Sequence, residues 1–267
     1  MGRKAGPALP AQWPRLPERA PVPGLTGRLR APAKLNLELK VLGRFPDGSH
    51  RIESVLQAVS LADLLMVEKA EPPSIEVTGF EAPTDEANLA LRAAAALGQS
   101  VRIQLEKRIP PGAGLGGGSS DAAAVLRELA PEREDLAQVA ARLGADVPFF
   151  LRGGRAIAGG RGEQLEPLPD EDGWYAIAWP GFEVSTGAVY RRFDEVGGGG
   201  RNHLLRAALA VEPRLAEFAA GLDEGWVMTG SGSAFFKEAS TEEGAMKAAA
   251  GLACWTAVAR AEPRLSG

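Results

Sequence analysis

The stretch Pro110-Pro111-Gly112-Ala113-Gly114-Leu115-Gly116-Gly117-Gly118-Ser119-Ser120-Asp121 decides how this chain is to be read. Its five glycines and two serines stand between an alternating apolar pattern and an alanine-rich segment with helical spacing. So few side chains leave the backbone amides open to a ligand, and the loop feeds directly into a helix N-terminus. The first amides of a helix have no partner within it, and they lie at the positive end of its dipole. Together they make an anion site whose natural occupant is a nucleotide phosphate.

Two familiar phosphate loops fit poorly. The pattern G-x-x-x-x-G-K-[ST] needs a lysine inside the loop, and none lies between Lys107 and Ser120. Gly112, Gly114 and Gly117 satisfy G-x-G-x-x-G, the mark of a dinucleotide-dependent oxidoreductase, but any glycine-dense loop does so by chance. The preceding strand also speaks against that reading. Val101, Ile103, Leu105 and Ile109 alternate with Arg102, Gln104, Glu106 and Arg108, which predicts a half-exposed strand. A Rossmann strand is buried on both faces and almost continuously apolar. A third kind of phosphate loop remains.

Outward from the loop, the pattern predicts strands at 35–40, 64–68, 74–78, 156–158 and 174–179, and helices at 88–97, 119–129 and 134–143. Helices at 186–193, 213–221 and 242–252 follow, with strands at 226–228, 234–236 and 254–259. Strand pairs without regular βαβ alternation indicate an α+β fold. Residues 1–27 differ in kind: six prolines, four basic residues and a single acid, Glu18, predict a stiff, disordered leader. It lacks the serine and the helical face of a transit peptide.

Composition narrows the function classes. A net charge of −4 and a pI near 5.5 exclude a general nucleic-acid or membrane binder, whose surface would be basic. A polyanionic substrate must then be met locally, by amides and a few cations. The single cysteine, Cys254, forbids an internal disulfide and suits a reducing, cytoplasmic setting; its apolar neighbours predict a buried thiol. No apolar run reaches the length of a membrane span.

Three segments together resemble the motifs of the GHMP kinases. The glycine loop is similar to the family's second motif, Ala31-Pro32-Ala33-Lys34-Leu35-Asn36-Leu37 to the first, and Met228-Thr229-Gly230-Ser231-Gly232-Ser233-Ala234 to the third. The resemblance spans roughly residues 29–260. Gly144-Ala145-Asp146-Val147-Pro148 and Asp47-Gly48-Ser49-His50 resemble the branch that phosphorylates the 2-hydroxyl of a cytidine-diphosphate-linked methylerythritol in isoprenoid precursor synthesis. One departure stands out: Ser49 occupies the place of that branch's tyrosine. Homoserine and mevalonate kinases are the rival readings within the family.

The resemblance implies two lobes with the active site in the cleft between them: 28–153 carrying the ATP loop and catalytic residues, and 154–267 completing the fold. It implies ATP held by Pro110, Pro111, Gly112, Ala113, Gly114, Leu115, Gly116, Gly117, Gly118, Ser119 and Ser120, with Mg2+ arriving on the nucleotide and keeping several waters. Phosphorylating an alcohol needs a proton acceptor and a cation near the transferring group. Asp146, in a turn beside an apolar run, is the candidate base, and Lys34 the candidate cation. Asn36 faces the same side of its strand as Lys34 and is placed to hydrogen-bond the substrate. His50, Thr186 and Tyr190 complete the expected substrate contacts, with Thr186 and Tyr190 four residues apart on one helix face. Asp121 reads as an acid favoured by the helix dipole rather than as a base. His203 reads as structural or exposed, and neither histidine has a metal-ligand partner at usable spacing.

Overall fold

The structure is a computed structural model and describes residues 28–265. The leader expected over 1–27 lies outside the described residues.

The described chain opens with a long antiparallel hairpin, β1 (Leu29–Arg44) and β2 (His50–Lys69). Two further strands, β3 (Ser74–Gly79) and β4 (Val101–Lys107), extend the sheet, β4 antiparallel to the second half of β2 and β3 parallel to β4. The first half of β2 pairs with β5 (Arg155–Gly159), which pairs with β6 (Gln164–Pro167). The lobe junction expected at 153/154 therefore falls inside this first sheet. Helices α1 (Leu89–Ala96), α2 (Gly117–Leu129), α3 (Leu136–Leu143) and the single turn α4 (Val147–Phe150) share one core with it. Asn88 caps α1 by accepting the Ala90 amide at 2.9 Å. Buried alanines (Ala90, Ala93 and Ala94 on α1; Ala122, Ala123 and Ala124 on α2) let the two helices approach closely.

A second, fully antiparallel sheet contains β7 (Trp174–Trp179), β8 (Val227–Met228), β9 (Phe235–Ala239) and β10 (Trp255–Arg260), in the order β10-β7-β9-β8. It meets the first sheet over Ala33, Leu35, Leu37, Val59, Ile177 and Phe236. Around it run α5 (Thr186–Val196), α6 (Leu205–Val211), α7 (Pro213–Ala220) and α8 (Glu242–Ala249). The fold is α+β, as the sequence pattern predicts.

The main departure lies in the hairpin. The pattern predicts a half-exposed strand near 35–40 and another at 64–68, whereas the two strands run 16 and 20 residues. Ala31 to Leu37 are all buried, because helices cover one face of β1 and the second sheet covers the other. Pro32 pairs with Ala62 and Ala33 with Val59, so Ser60 and Leu61 bulge out of β2. Such a bulge bends the strand and increases its local twist. Ala31 joins the helix-side core while Ala33, Leu35 and Leu37 join the inter-sheet core. By alternation, Lys34 and Asn36 turn away from that inter-sheet core, toward the N-terminus of α2.

Candidate active site

The three motif segments are tied together by backbone contacts. The Lys34 amide donates to Leu115 O at 2.9 Å, the Ala234 amide to Ala113 O at 3.0 Å, and the Asn36 amide to Thr229 Oγ1 at 2.9 Å. Two glycines make this possible. A Cβ on Gly114, whose φ is +80°, would lie 2.4 Å from Thr229 O. Gly116, with φ +75°, is the N-cap of α2, and a Cβ there would strike the Phe150 ring and crowd Lys34. A side chain at either position would collide with these neighbours and open the contact between the segments.

A cavity of about 370 Å³ lies along the loop, lined by Pro110 to Ser119 with Asn88, Leu89 and Lys107. Ser120 is completely buried behind it, its hydroxyl without a hydrogen-bond partner among the described residues. A second cavity, of about 350 Å³, is lined by Lys34, Asn36, Asp146, Arg161, Thr186 and Tyr190, among others. Both cavities are lined by Gly114, Gly116 and Ser119, so they adjoin at the loop.

Lys34 Nζ lies 3.6 Å from Asp146 Oδ2 at that junction. The lysine side chain is 5% exposed and the aspartate 38%, so the cation is fixed in the wall and the carboxylate reaches into the cleft. Lys34 also donates to Asn36 Oδ1, and Asn36 Nδ2 donates to Ser54 Oγ at 2.8 Å. Both polar atoms of the Asn36 side chain are thus engaged by the protein, although the residue lines the cavity. Asp146 occupies the N-cap position of α4 and makes no capping hydrogen bond. The buried run Val147-Pro148-Phe149-Phe150 anchors the turn that presents it.

Thr186 and Tyr190 sit together on α5 and face the second cavity, with Thr186 Oγ1 2.7 Å from Ser231 Oγ. Burial, with the nearby Asp146 charge, pushes the Tyr190 phenol up to about 12. His50 does not line this cavity; it stands behind Tyr190, ring centroids 4.8 Å apart, and its Nε2 donates to Asp194 Oδ1 at 2.8 Å. His203 Nδ1 accepts the Val41 amide at 3.2 Å, a structural role. Cys254 is half-buried rather than buried, and its partial burial pushes the thiol up.

Sequence reasoning missed one charged group altogether. Lys107 Nζ contacts Asp63 and, at 2.7 Å, Asp121, and all three side chains are almost fully buried. Asp121 is therefore not an acid resting on the dipole. It is the fifth residue of α2, and it binds a lysine beneath the glycine loop. The missed signal was parity: Lys107 falls in the apolar register Val101, Ile103, Leu105, Ile109. A Cβ on Gly117 would lie 3.0 Å from Lys107 Nζ and from Ile109 Cγ2, so a side chain there would crowd this cluster.

One lysine between two buried carboxylates leaves a surplus negative charge. Burial raises the Asp121 carboxyl from 3.8 to about 8, Lys107 opposing the shift and Asp63 adding to it. The folded chain then holds a proton that the unfolded chain releases. This contribution to stability is fully present below about pH 4 and is lost as pH rises through about 8. Asp121→Asn is expected to raise the unfolding temperature relative to the unmutated chain more at about pH 9 than at about pH 6. Thermal unfolding at the two values checks this, and an equal difference at both would refute it.

Among the described residues, no group of three or more His, Cys, Asp or Glu side chains is placed to hold a metal ion. No helix among them is long and apolar enough to cross a membrane.

Comparison with known proteins agrees with this geometry. The family profile described as GHMP kinases N terminal domain matches residues 87–154. A 4-diphosphocytidyl-2-C-methyl-D-erythritol kinase from Thermus thermophilus is 42% identical over 84% of this chain and 92% of its own. One from Carboxydothermus hydrogenoformans is 36% identical over 77% and 86%. A crystal structure of 4-(cytidine 5'-diphospho)-2C-methyl-D-erythritol kinase superposes with a TM-score of 0.73 at 39% identity, covering 88% of this chain and 98% of that one. Homoserine kinase from Cytophaga hutchinsonii, at 19% identity and a TM-score of 0.59, shares the fold. With a relative so similar over nearly its whole length, and with the three motif segments assembled around one cleft, the chain belongs to the GHMP kinase family, in its 4-diphosphocytidyl-2-C-methyl-D-erythritol kinase branch.

Proposed function

We propose that this chain transfers the γ-phosphoryl group of ATP to the 2-hydroxyl of 4-(cytidine 5'-diphospho)-2-C-methyl-D-erythritol. The observation that carries the reading is the Lys34–Asp146 pair, set where the loop cavity adjoins the cavity walled by Tyr190. ATP lies along the loop with its phosphates on the free amides of Gly117 to Ser119 and the dipole of α2. The substrate hydroxyl enters from the other side.

Asp146 accepts the hydroxyl proton as the oxygen forms its bond to the γ-phosphorus. The bond from that phosphorus to the bridging oxygen breaks, and ADP leaves. Lys34, 3.6 Å from Asp146, stabilises the negative charge developing between the two oxygens. Asn36 acts through Lys34, holding the ammonium in place. Magnesium, which supplies charge neutralisation on the phosphates, fits a site with few protein donors, since it retains waters and phosphate oxygens. The Ser119 hydroxyl, on the wall of both cavities, is the donor this chain offers. The division into two lobes belongs to the same proposal, with β5 and β6 in the sheet of the N-terminal lobe.

A coupled ADP-release assay tests the reading against homoserine and mevalonate. Turnover is expected with the cytidine-bearing alcohol, and preferential turnover of either small acid would overturn it. Tyr190 sharpens the test. A base stacked on an aromatic ring is stabilised by about 1–3 kcal/mol, so Tyr190→Ala is expected to raise KM for the cytidine substrate roughly 5- to 150-fold. KM for ATP should hardly move, because Tyr190 does not line the loop cavity. Equal losses for both substrates would remove Tyr190 from the cytidine pocket.

A further inference from the structure

Besides Lys34, the second cavity is lined by a cation that the reaction above does not use. Arg161, in the turn between β5 and β6, is with Lys34 one of two basic residues lining this cavity. Its side chain is 48% exposed, and three contacts orient the guanidinium. The Cζ lies 4.7 Å from the Phe45 ring centroid, Nε donates to Ser49 Oγ at 2.8 Å, and one terminal nitrogen donates to Asp47. Ser49 in turn donates to Asp47 Oδ1 through its hydroxyl at 2.6 Å and its amide at 3.0 Å. These bonds, with Arg161, hold the Asp47 carboxyl down at about 2. The positive charge of the arginine is therefore matched, and what the assembly offers a ligand is a flat, weakly hydrated plate lying on an aromatic ring.

Serine at position 49 is what permits this. Its short hydroxyl bridges Asp47 and Arg161, whereas a tyrosine would carry its oxygen far beyond both. A guanidinium plane stacks on nucleobases much as an aromatic ring does.

We infer that Arg161, seated on Phe45 and fixed by Ser49, forms a wall of the base-binding part of this cleft and determines its selectivity for a nucleoside-bearing alcohol. The inference rests on the cytidine reading above. Arg161 is a specificity residue that acts by its plane rather than by its charge.

The test uses the full chain and two probes: calorimetric binding of cytidine 5'-diphosphate, and steady-state kinetics with the cytidine-bearing alcohol. Arg161→Ala is expected to weaken diphosphate binding and raise the alcohol's KM by roughly 5- to 30-fold, with a much smaller change in the KM for ATP. Arg161→Lys, which keeps the charge and loses the plane, should recover little of this. The double variant Ser49→Tyr with Arg161→Ala should recover most of it by supplying a ring beside the space the guanidinium vacates. Unchanged binding in Arg161→Ala, or full retention in Arg161→Lys, would overturn the inference. If the unmutated chain neither binds the cytidine probe nor turns over the alcohol, the fault lies in the cytidine reading instead, so the two failures are distinguishable.

Discussion

Asp146→Asn is expected to lower kcat about 10²- to 10⁴-fold, the range that a lost general base costs. The side chains are nearly isosteric, and the geometry argues that little else would change. Asp146 makes no helix-capping hydrogen bond, and its one ion pair among the described residues is with Lys34 across 3.6 Å. It does not line the loop cavity, so affinity for ATP should be close to that of the unmutated chain. The expected signature is a collapse in turnover with nucleotide binding and thermal unfolding almost preserved. Steady-state kinetics, an ATP-binding titration and thermal unfolding read the three parts, and near-normal turnover would place the proton acceptor elsewhere.

Much of the fold was legible because local rules and tertiary packing agreed there. Asn88 before an alanine-rich segment marked α1 correctly, and α2 and α7 began within two residues of expectation. The long hairpin was not legible. Ser54, Gln57, Ser60 and Asp63 interrupt the apolar pattern of β2, and each is held by a tertiary bond or displaced by the bulge. Alternation assumes one wet face, and β1 has none between Ala31 and Leu37. The short elements α4, α6 and β6 carry too few residues for a period to show.

The site divides along the same line. The glycine loop announced itself because its chemistry is local: open amides ahead of a helix. Lys34 and Asp146 are 112 residues apart in sequence, and only the resemblance to a known family linked them before the structure placed them together. The Lys107 cluster and the Arg161 plate lie between elements that only the topology joins. No spacing rule reaches such pairs.

Lys34→Met should cost about 10²- to 10³-fold in kcat, comparable to losing one preorganised donor at a site of developing charge. Methionine is close in length and follows the same path past Gly116, so packing is largely kept. The lost hydrogen bond leaves Asn36 Oδ1 with only the long 3.4 Å bond from Thr229, a penalty of about 1–3 kcal/mol. Thermal unfolding should therefore fall modestly while activity falls steeply. Lys34→Arg should not restore activity, because a planar fork is a poor replacement for a compact ammonium in a pocket that leaves the lysine 5% exposed. The decisive comparison is the double variant with Asp146→Asn. If Lys34 and Asp146 act on the same developing charge across their 3.6 Å contact, the two act as a unit and their losses cannot multiply. The double variant should then be within about tenfold of the slower single one. A loss equal to the product of the two would show that each acts alone, and the ion pair would no longer explain the chemistry.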